Sequence, residues 1–201
     1  MFLFFGVIAG ALVVAVLIGG DVRRLSQLRI RHIELLIAAF AVKIVVALLG
    51  TIRTDSALVA ARPLNILGVV LLLAVAYFNW RIPGALIFGA GLISNLIVIV
   101  SFGGRMPVLL PTGFEPTPGG ALPLLRAGQD PLHVLLPHAQ GLWFLGDVFV
   151  IPGIVGRASV ASIGDLVMAV GVAYLIIRWS QRPHPAEPSY EPARAKATPA
   201  K

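Results

Sequence analysis

Five apolar stretches, each about long enough to cross a bilayer as a helix, alternate along the chain with short clusters of charge, glycine and proline. Phe2 to Ile18 is an uncharged run closed by Gly19, Gly20 and Asp21. Further runs extend from about Ile33 to Leu49, Leu64 to Phe78, Gly84 to Phe102, and about Ala161 to Ile177, with Pro83 and Gly84 separating the third from the fourth. The pattern predicts an all-α fold, a polytopic membrane bundle of about five transmembrane helices. It would occupy residues 1–179, including a loop at 103–160, with a disordered cytoplasmic tail at 180–201. The first run is read as a span and not a cleaved signal peptide, because its positive charges, Arg23 and Arg24, follow the apolar run instead of preceding it.

Composition supports this reading. Of 201 residues 58% are hydrophobic and 12% charged, more apolar surface than a soluble fold of this size can bury. The formal charge of +7 would suit a nucleic-acid ligand, but the basic residues are sorted along the chain and form no basic-aromatic surface. The loop from Asp21 to His32, the turn at Arg81 and the tail from Arg178 carry ten lysines and arginines; the segments on the opposite side carry Arg53, Arg62, Arg105, Arg126 and Arg157. Because basic residues are retained in the cytoplasm, the N-terminus is expected outside the cell membrane and the C-terminus inside. Trp80, Trp143 and Trp179 read as interfacial anchors. Absence of cysteine excludes disulfides, thiolate metal sites and a cysteine nucleophile.

Ionisable groups inside a span need a partner or a task. Glu34 lies in the first turn of its span beside Arg31 and His32, which suits an interfacial ion pair. Lys43 is midway along the same span and nine residues from Glu34, on the opposite helix face. A structural ion pair between Lys43 and Asp165, one turn into the last span, would satisfy both. Asn95 interrupts the fourth span, where Gly84, Gly89 and Gly91 suggest close helix contact, and fits an interhelical hydrogen bond. Gly103-Gly104-Arg105-Met106-Pro107 would hold Arg105 at a fixed place on the outer surface. Gly146-Asp147 and Gly164-Asp165 repeat a Gly-Asp step, and one or both carboxylates could pair with Arg105. His133 and His138 have no metal-site spacing, and no metal or other cofactor is implied. The loop at 103–160 is rich in Pro and Gly yet partly apolar, which predicts short helices or re-entrant pieces on the outer surface.

With those residues in view, the chain resembles a family of uncharacterised bacterial membrane proteins, the domain of unknown function numbered 5317. The resemblance rests on Asn95, Gly103-Gly104-Arg105-Met106-Pro107, Leu145-Gly146-Asp147 and Ser162-Ile163-Gly164-Asp165, and covers roughly residues 1 to 180. It implies a membrane topology and no activity. A second likeness is to signal peptidase II, an intramembrane aspartyl peptidase, through the Gly-rich segment ending in Asn95-Leu96-Ile97 and through Ile163-Gly164-Asp165 followed by Gly171-Val172. Val98-Ile99 stand where that enzyme has Asp-Arg, so one catalytic carboxylate is absent from its place; Asp147 would have to replace it.

Three functions follow as expectations. The first is a non-enzymatic membrane protein whose outer face, built from Asn95, Arg105, Asp147 and Asp165, binds a membrane-protein partner or a lipid head group, with Arg105 bridging the acids. The second is an intramembrane aspartate-dependent hydrolase with Asp147 and Asp165 as its catalytic dyad, one carboxyl raised in pKa by the other. The third is a small transporter using Lys43 and Asp165 as a charge-compensated site.

Overall fold

A computed structural model describes residues 2–111, 122–151 and 159–182. The chain is mostly helical: α1 (Phe2–Leu17), α2 (Ile33–Ile52), α3 (Asp55–Phe78), α4 (Ala85–Ser101), the short α5 (Leu122–Arg126) and α6 (Ile163–Ser180). By length and composition α2, α3 and α6 are able to cross a membrane, while α1 and α4 are apolar but shorter. The tail at 183–201 and Arg157 lie outside the described residues, as do parts of the expected loop, 112–121 and 152–158.

Contacts between helices run α2 to α3, α3 to α4, α4 to α6 and α6 to α1, so this is their order in space. Much of what they bury is small, Ala39, Ala57, Ala61, Gly68, Ala76, Gly89, Gly91, Gly164 and Gly171, beside a core of Val69, Leu92, Val98, Ile99 and Met168. What they expose is large and apolar, including Phe40, Ile44, Leu86 and Val170. Small residues at the helix seams and bulky apolar ones on the outer faces suit helices packed in lipid. The tightest seam joins α4 and α6, which run antiparallel. Gly84 faces Gly171 and, two turns along, Gly91 faces Gly164; a Cβ added at Gly171 would lie 2.7 Å from the Phe88 amide nitrogen, and one at Gly91 2.6 Å from Met168 Cγ.

Helix α3 starts nine residues earlier than the expected Leu64. Thr54 caps it, its side chain accepting the Ala57 N–H at 3.3 Å, and Asp55 places negative charge at the positive end of the helix dipole. Arg62-Pro63 reads as a stop, yet the helix continues through Pro63. The early start gives the bundle a step. Asn65 hydrogen-bonds the Gly104 carbonyl just beyond the end of α4, so the first ten residues of α3, about 15 Å of helix, project past α4 beside the end of α2.

A small cap fills that step, and it corrects the expectation of helices and re-entrant pieces alone, because it contains strands. β1 (Met106–Val108) pairs in parallel with β2 (His133–Leu135), in the register Met106 to His133. Asp147 bridges Val108 on the other side of β1. β3 (Phe149–Ile151) pairs antiparallel with β4 (Ser159–Ala161), which leads into α6. Pro131 packs on Gly50 of α2, where a Cβ would come within 2.8 Å of the proline ring.

The opposite end is tied by side chain to backbone. Asn79 accepts the Arg31 N–H at 2.8 Å and donates to the Arg31 carbonyl at 2.9 Å. Trp179 Nε1 donates to the Arg24 carbonyl at 2.9 Å, and Arg182 stacks over the Trp179 ring at 3.8 Å. Glu34 pairs with His32 at 2.9 Å on the exposed surface.

Candidate functional site

The polar side chains of the bundle converge beneath the cap. Ser162 begins α6 with a capping box, its hydroxyl accepting the Asp165 N–H at 2.9 Å while the Asp165 carboxylate accepts the Ser162 N–H at 3.3 Å. Asn95, from α4, engages both cap residues: Nδ2 donates to Asp165 Oδ1 at 2.9 Å, and Oδ1 accepts the Ser162 hydroxyl at 2.8 Å. The buried amide is thereby satisfied, and it fixes the start of α6 against α4. Only a glycine fits beside it, since a side chain at Gly164 would strike Asn95.

Asp147 is 5% exposed. Its backbone belongs to the sheet, the N–H donating to the Pro107 carbonyl at 2.8 Å and the carbonyl accepting the Leu109 N–H at 3.2 Å. This fixes the carboxylate at the floor of the cap. One oxygen has no hydrogen-bond partner among the described residues, and the other lies 3.8 Å from His133 Nε2. Burial pushes the Asp147 carboxyl up to about 6; the nearby negative charge of Asp165 adds to the rise, and His133 works against it.

His133 is itself positioned by Asp130. In the turn Asp130-Pro131-Leu132-His133, one carboxylate oxygen accepts the Leu132 and His133 N–H groups, each at 2.8 Å, and faces His133 Nδ1 at 3.0 Å. Burial would lower the His133 pKa, but Asp130 and then Asp147 outweigh it and raise the value above that of a free histidine. The Asp130 carboxyl is held below its ordinary value: burial opposes this, and the bonds from His133 and the two backbone amides prevail. Asp130, His133 and Asp147 thus form a line of three titratable groups ending at a buried acid.

Lys43 approaches from the other side. Its stem passes Gly68, where a Cβ would stand 3.3 Å from Lys43 Cε, and Nζ donates to Asn65 Oδ1 at 2.7 Å. Asn65 Nδ2 then donates to the Gly104 carbonyl at 2.9 Å. The ion pair expected between Lys43 and Asp165 is therefore not formed. Lys43 is on α2 and Asp165 on α6, with α3 and α4 between them in the helix order, and each finds an asparagine instead. Lys43 is also less isolated than its mid-helix position suggests, because its stem carries the ammonium to the level where α4 ends.

Arg105 does not bridge the acids: among the described residues it makes no ion pair with Asp147 or Asp165. The glycines before it adopt φ of 65° and 91°, as their sequence suggested, and Gly104 lies against the Arg62 backbone, a Cβ there falling 2.9 Å from the Arg62 carbonyl. This turn directs Arg105 to a cavity of about 230 Å³ on the cap, shared with Arg126. Burial, and then the charge of Arg62, lower the Arg105 pKa, while Asp130 acts the other way. Of the residues anticipated from sequence, Asn95 and Asp165 meet directly, Asp147 lies near Asp165, Lys43 is engaged by Asn65, and Arg105 lines the cavity on the cap. Asn65, Asp130, His133 and Ser162 complete the cluster. Asn65 carried the same signal as Asn95, a lone amide in an apolar run, and Asp-Pro-x-His is a turn signature with the histidine in reach of the aspartate.

The fold and cluster define a helical protein with membrane-compatible helices and a polar cap at one end. The chain belongs to a family of unknown function, DUF5317, whose model matches residues 27–177. No curated protein and no solved structure matches it, so the likeness to signal peptidase II finds no support there.

Proposed function

We propose that the chain is a non-enzymatic, multi-pass protein of a bacterial cell membrane. In this reading five helices cross the bilayer, the N-terminus and the cap are extracytoplasmic, and the C-terminus is cytoplasmic. The cap binds a membrane-protein partner or a lipid head group. The observation that carries the reading is the convergence at the cap of Asn95, Asp147, Asp165 and His133, with Arg105, the residue before β1, directed to the cavity on the cap. A cap that served only to seal the helix ends would be cheaper to build from apolar side chains, since buried ionisable groups cost stability. Tryptic cleavage after Arg126 tests the proposal in native membranes, in vesicles of the total lipid extract, and in phosphatidylcholine vesicles. Slow cleavage in the first two assigns a head group. Slow cleavage in native membranes alone assigns a protein partner. Equal rates in all three overturn the reading.

One observation favours the aspartate-dependent hydrolase as second reading: Asp147 is a buried acid raised to about 6 with Asp165 nearby, the condition of a general acid near neutral pH. Against it, Asp165 is committed to its helix cap and to Asn95, and the two carboxylates share no hydrogen bond. Cleavage of a membrane-embedded peptide by the purified protein, abolished by Asp147→Asn, would establish the hydrolase in place of the binding protein.

A further inference from the structure

Three arginines gather where the cap meets the protruding end of α3. Arg62 and Arg105 each bury Nε without a hydrogen-bond partner among the described residues, and they are close enough for like-charge repulsion to register on Arg105. Arg126, at the end of α5, faces Arg105 across the cavity of about 230 Å³. The remaining walls are apolar, chiefly Leu125, Val134, Leu135 and Pro137. The acid whose charge registers on Arg105 is Asp130, but its Oδ1 accepts from two backbone amides and faces His133, and among the described residues it forms no ion pair with any of the three arginines.

Guanidinium groups brought together against their repulsion, beside a cavity with one polar rim and apolar walls, call for an anion. Two separate planar forks present more donors than one bidentate carboxylate pairing uses, and an anion with three oxygens matches them better. A phosphate monoester offers three acceptor oxygens and a charge of about −1.5 to −2. We propose that the cavity between Arg105 and Arg126 is a binding site for a phosphate group, with any apolar substituent lying along Leu125, Val134 and Leu135. The inference rests on the head-group reading above and gives it a chemistry. It accommodates free phosphate and a phospholipid head group alike.

The test uses the full chain purified in a neutral detergent, with thermal unfolding followed during titration with inorganic phosphate, with short-chain phosphatidic acid, and with short-chain phosphatidylcholine. Binding to the native state raises the unfolding temperature with ligand concentration. Arg126 is exposed at the end of a short helix, so Arg126→Gln keeps the fold; Arg105→Gln is the second variant, and Arg53→Gln, an exposed cation at the α2–α3 turn, controls for general charge. The expected result is stabilisation by phosphatidic acid, by phosphate or by both, little from phosphatidylcholine, and affinity reduced about tenfold or more in Arg126→Gln but unchanged in Arg53→Gln. A response to phosphatidic acid alone assigns a lipid source, and one to phosphate alone assigns a soluble anion. No response, or an equal response in Arg126→Gln, Arg105→Gln and the native protein, overturns the site. Protection of Arg126 from trypsin by the total lipid extract, together with no response here, would leave the binding function standing and remove phosphate as its ligand.

Discussion

At the residue scale, the cap is governed by three groups whose pKa directions fix its response to pH. Asp147 is raised from 3.8 to about 6, so its contribution is fully present below 3.8 and is lost as pH rises from 3.8 to about 6, on the order of 3 kcal/mol at most. His133 is raised, so its contribution is present below pH 6.5 and is lost as pH rises through its folded value. Asp130 is lowered, so its contribution is present above 3.8 and is lost as pH falls through its folded value. The cap is therefore most stable near about pH 4, loses the Asp147 contribution between about pH 4 and 6, and loses that of His133 above 6.5. Fluorescence of Trp143, in a Trp80→Phe, Trp179→Phe background, should report a cap that loosens as pH rises from about 4 to 6 and again above 6.5, and Asp147→Asn should flatten the first of these steps. A profile unchanged by Asp147→Asn would mean that the carboxylate is not the titrating group. Asn95 gives a second prediction. Asn95→Leu keeps the forked outline of the side chain but adds bulk and strands the Ser162 hydroxyl and the Asp165 carboxylate, and should cost about 1–3 kcal/mol or more in thermal or denaturant unfolding. Asn95 was legible in sequence because an amide in an apolar run must find a partner. The partners of Lys43 and Arg105 were not, because pairing depends on which helices are neighbours. The order α2, α3, α4, α6, α1 separates Lys43 from Asp165 although both lie in apolar spans.

At the element scale, the helices could be read from apolar runs and their glycine and proline stops, and four of the five long ones begin within two residues of the expected positions. Helix α3 departs because Arg62-Pro63 mimics a terminus, while the true start is set by Thr54 and Asp55, a cap signal lying beyond the apolar run. The strands of the cap could not be read, since three-residue strands in a Pro- and Gly-rich segment show no alternation; their pairing depends on the shelf made by α3 and α4. The glycine seam was partly visible in Gly84, Gly89 and Gly91, but its matching face, Gly164 and Gly171, appears only once α4 and α6 are antiparallel. That seam yields a third prediction. Gly91→Leu or Gly171→Leu should separate α4 from α6, carry Asn95 away from Ser162 and Asp165, and cost about 3 kcal/mol or more. Gly6→Leu, on a face of α1 with nothing within 4 Å, should change little. Unfolding temperatures in detergent decide it, and comparable losses at Gly6 and Gly171 would contradict the seam.

At the scale of the whole molecule, the number of crossings depends on α1 and α4. At 16 and 17 residues they span about 24 and 26 Å, against a hydrocarbon core of about 30 Å. A shortfall of that size is accommodated by local thinning of the bilayer or by snorkelling of flanking residues, at modest cost. The step in the bundle gives a further reason for a short α4: the cap closes over its end, so the adjoining backbone pairs with strands and not with lipid. The chain has no cysteine, so single cysteines at Ser26, His138 and Gln181, all exposed, can be probed on intact cells with a membrane-impermeant maleimide. Three helices, α2, α3 and α4, separate Ser26 from His138, and one, α6, separates His138 from Gln181. If α4 crosses, His138→Cys should label in intact cells, while Ser26→Cys and Gln181→Cys should label only after permeabilisation. If α4 does not cross, Ser26 and His138 fall on one side. The reverse pattern, with Ser26 labelled and His138 protected, would keep the number of crossings and invert the orientation. The cap would then face the cytoplasm, and the source of any phosphate group would have to be sought there.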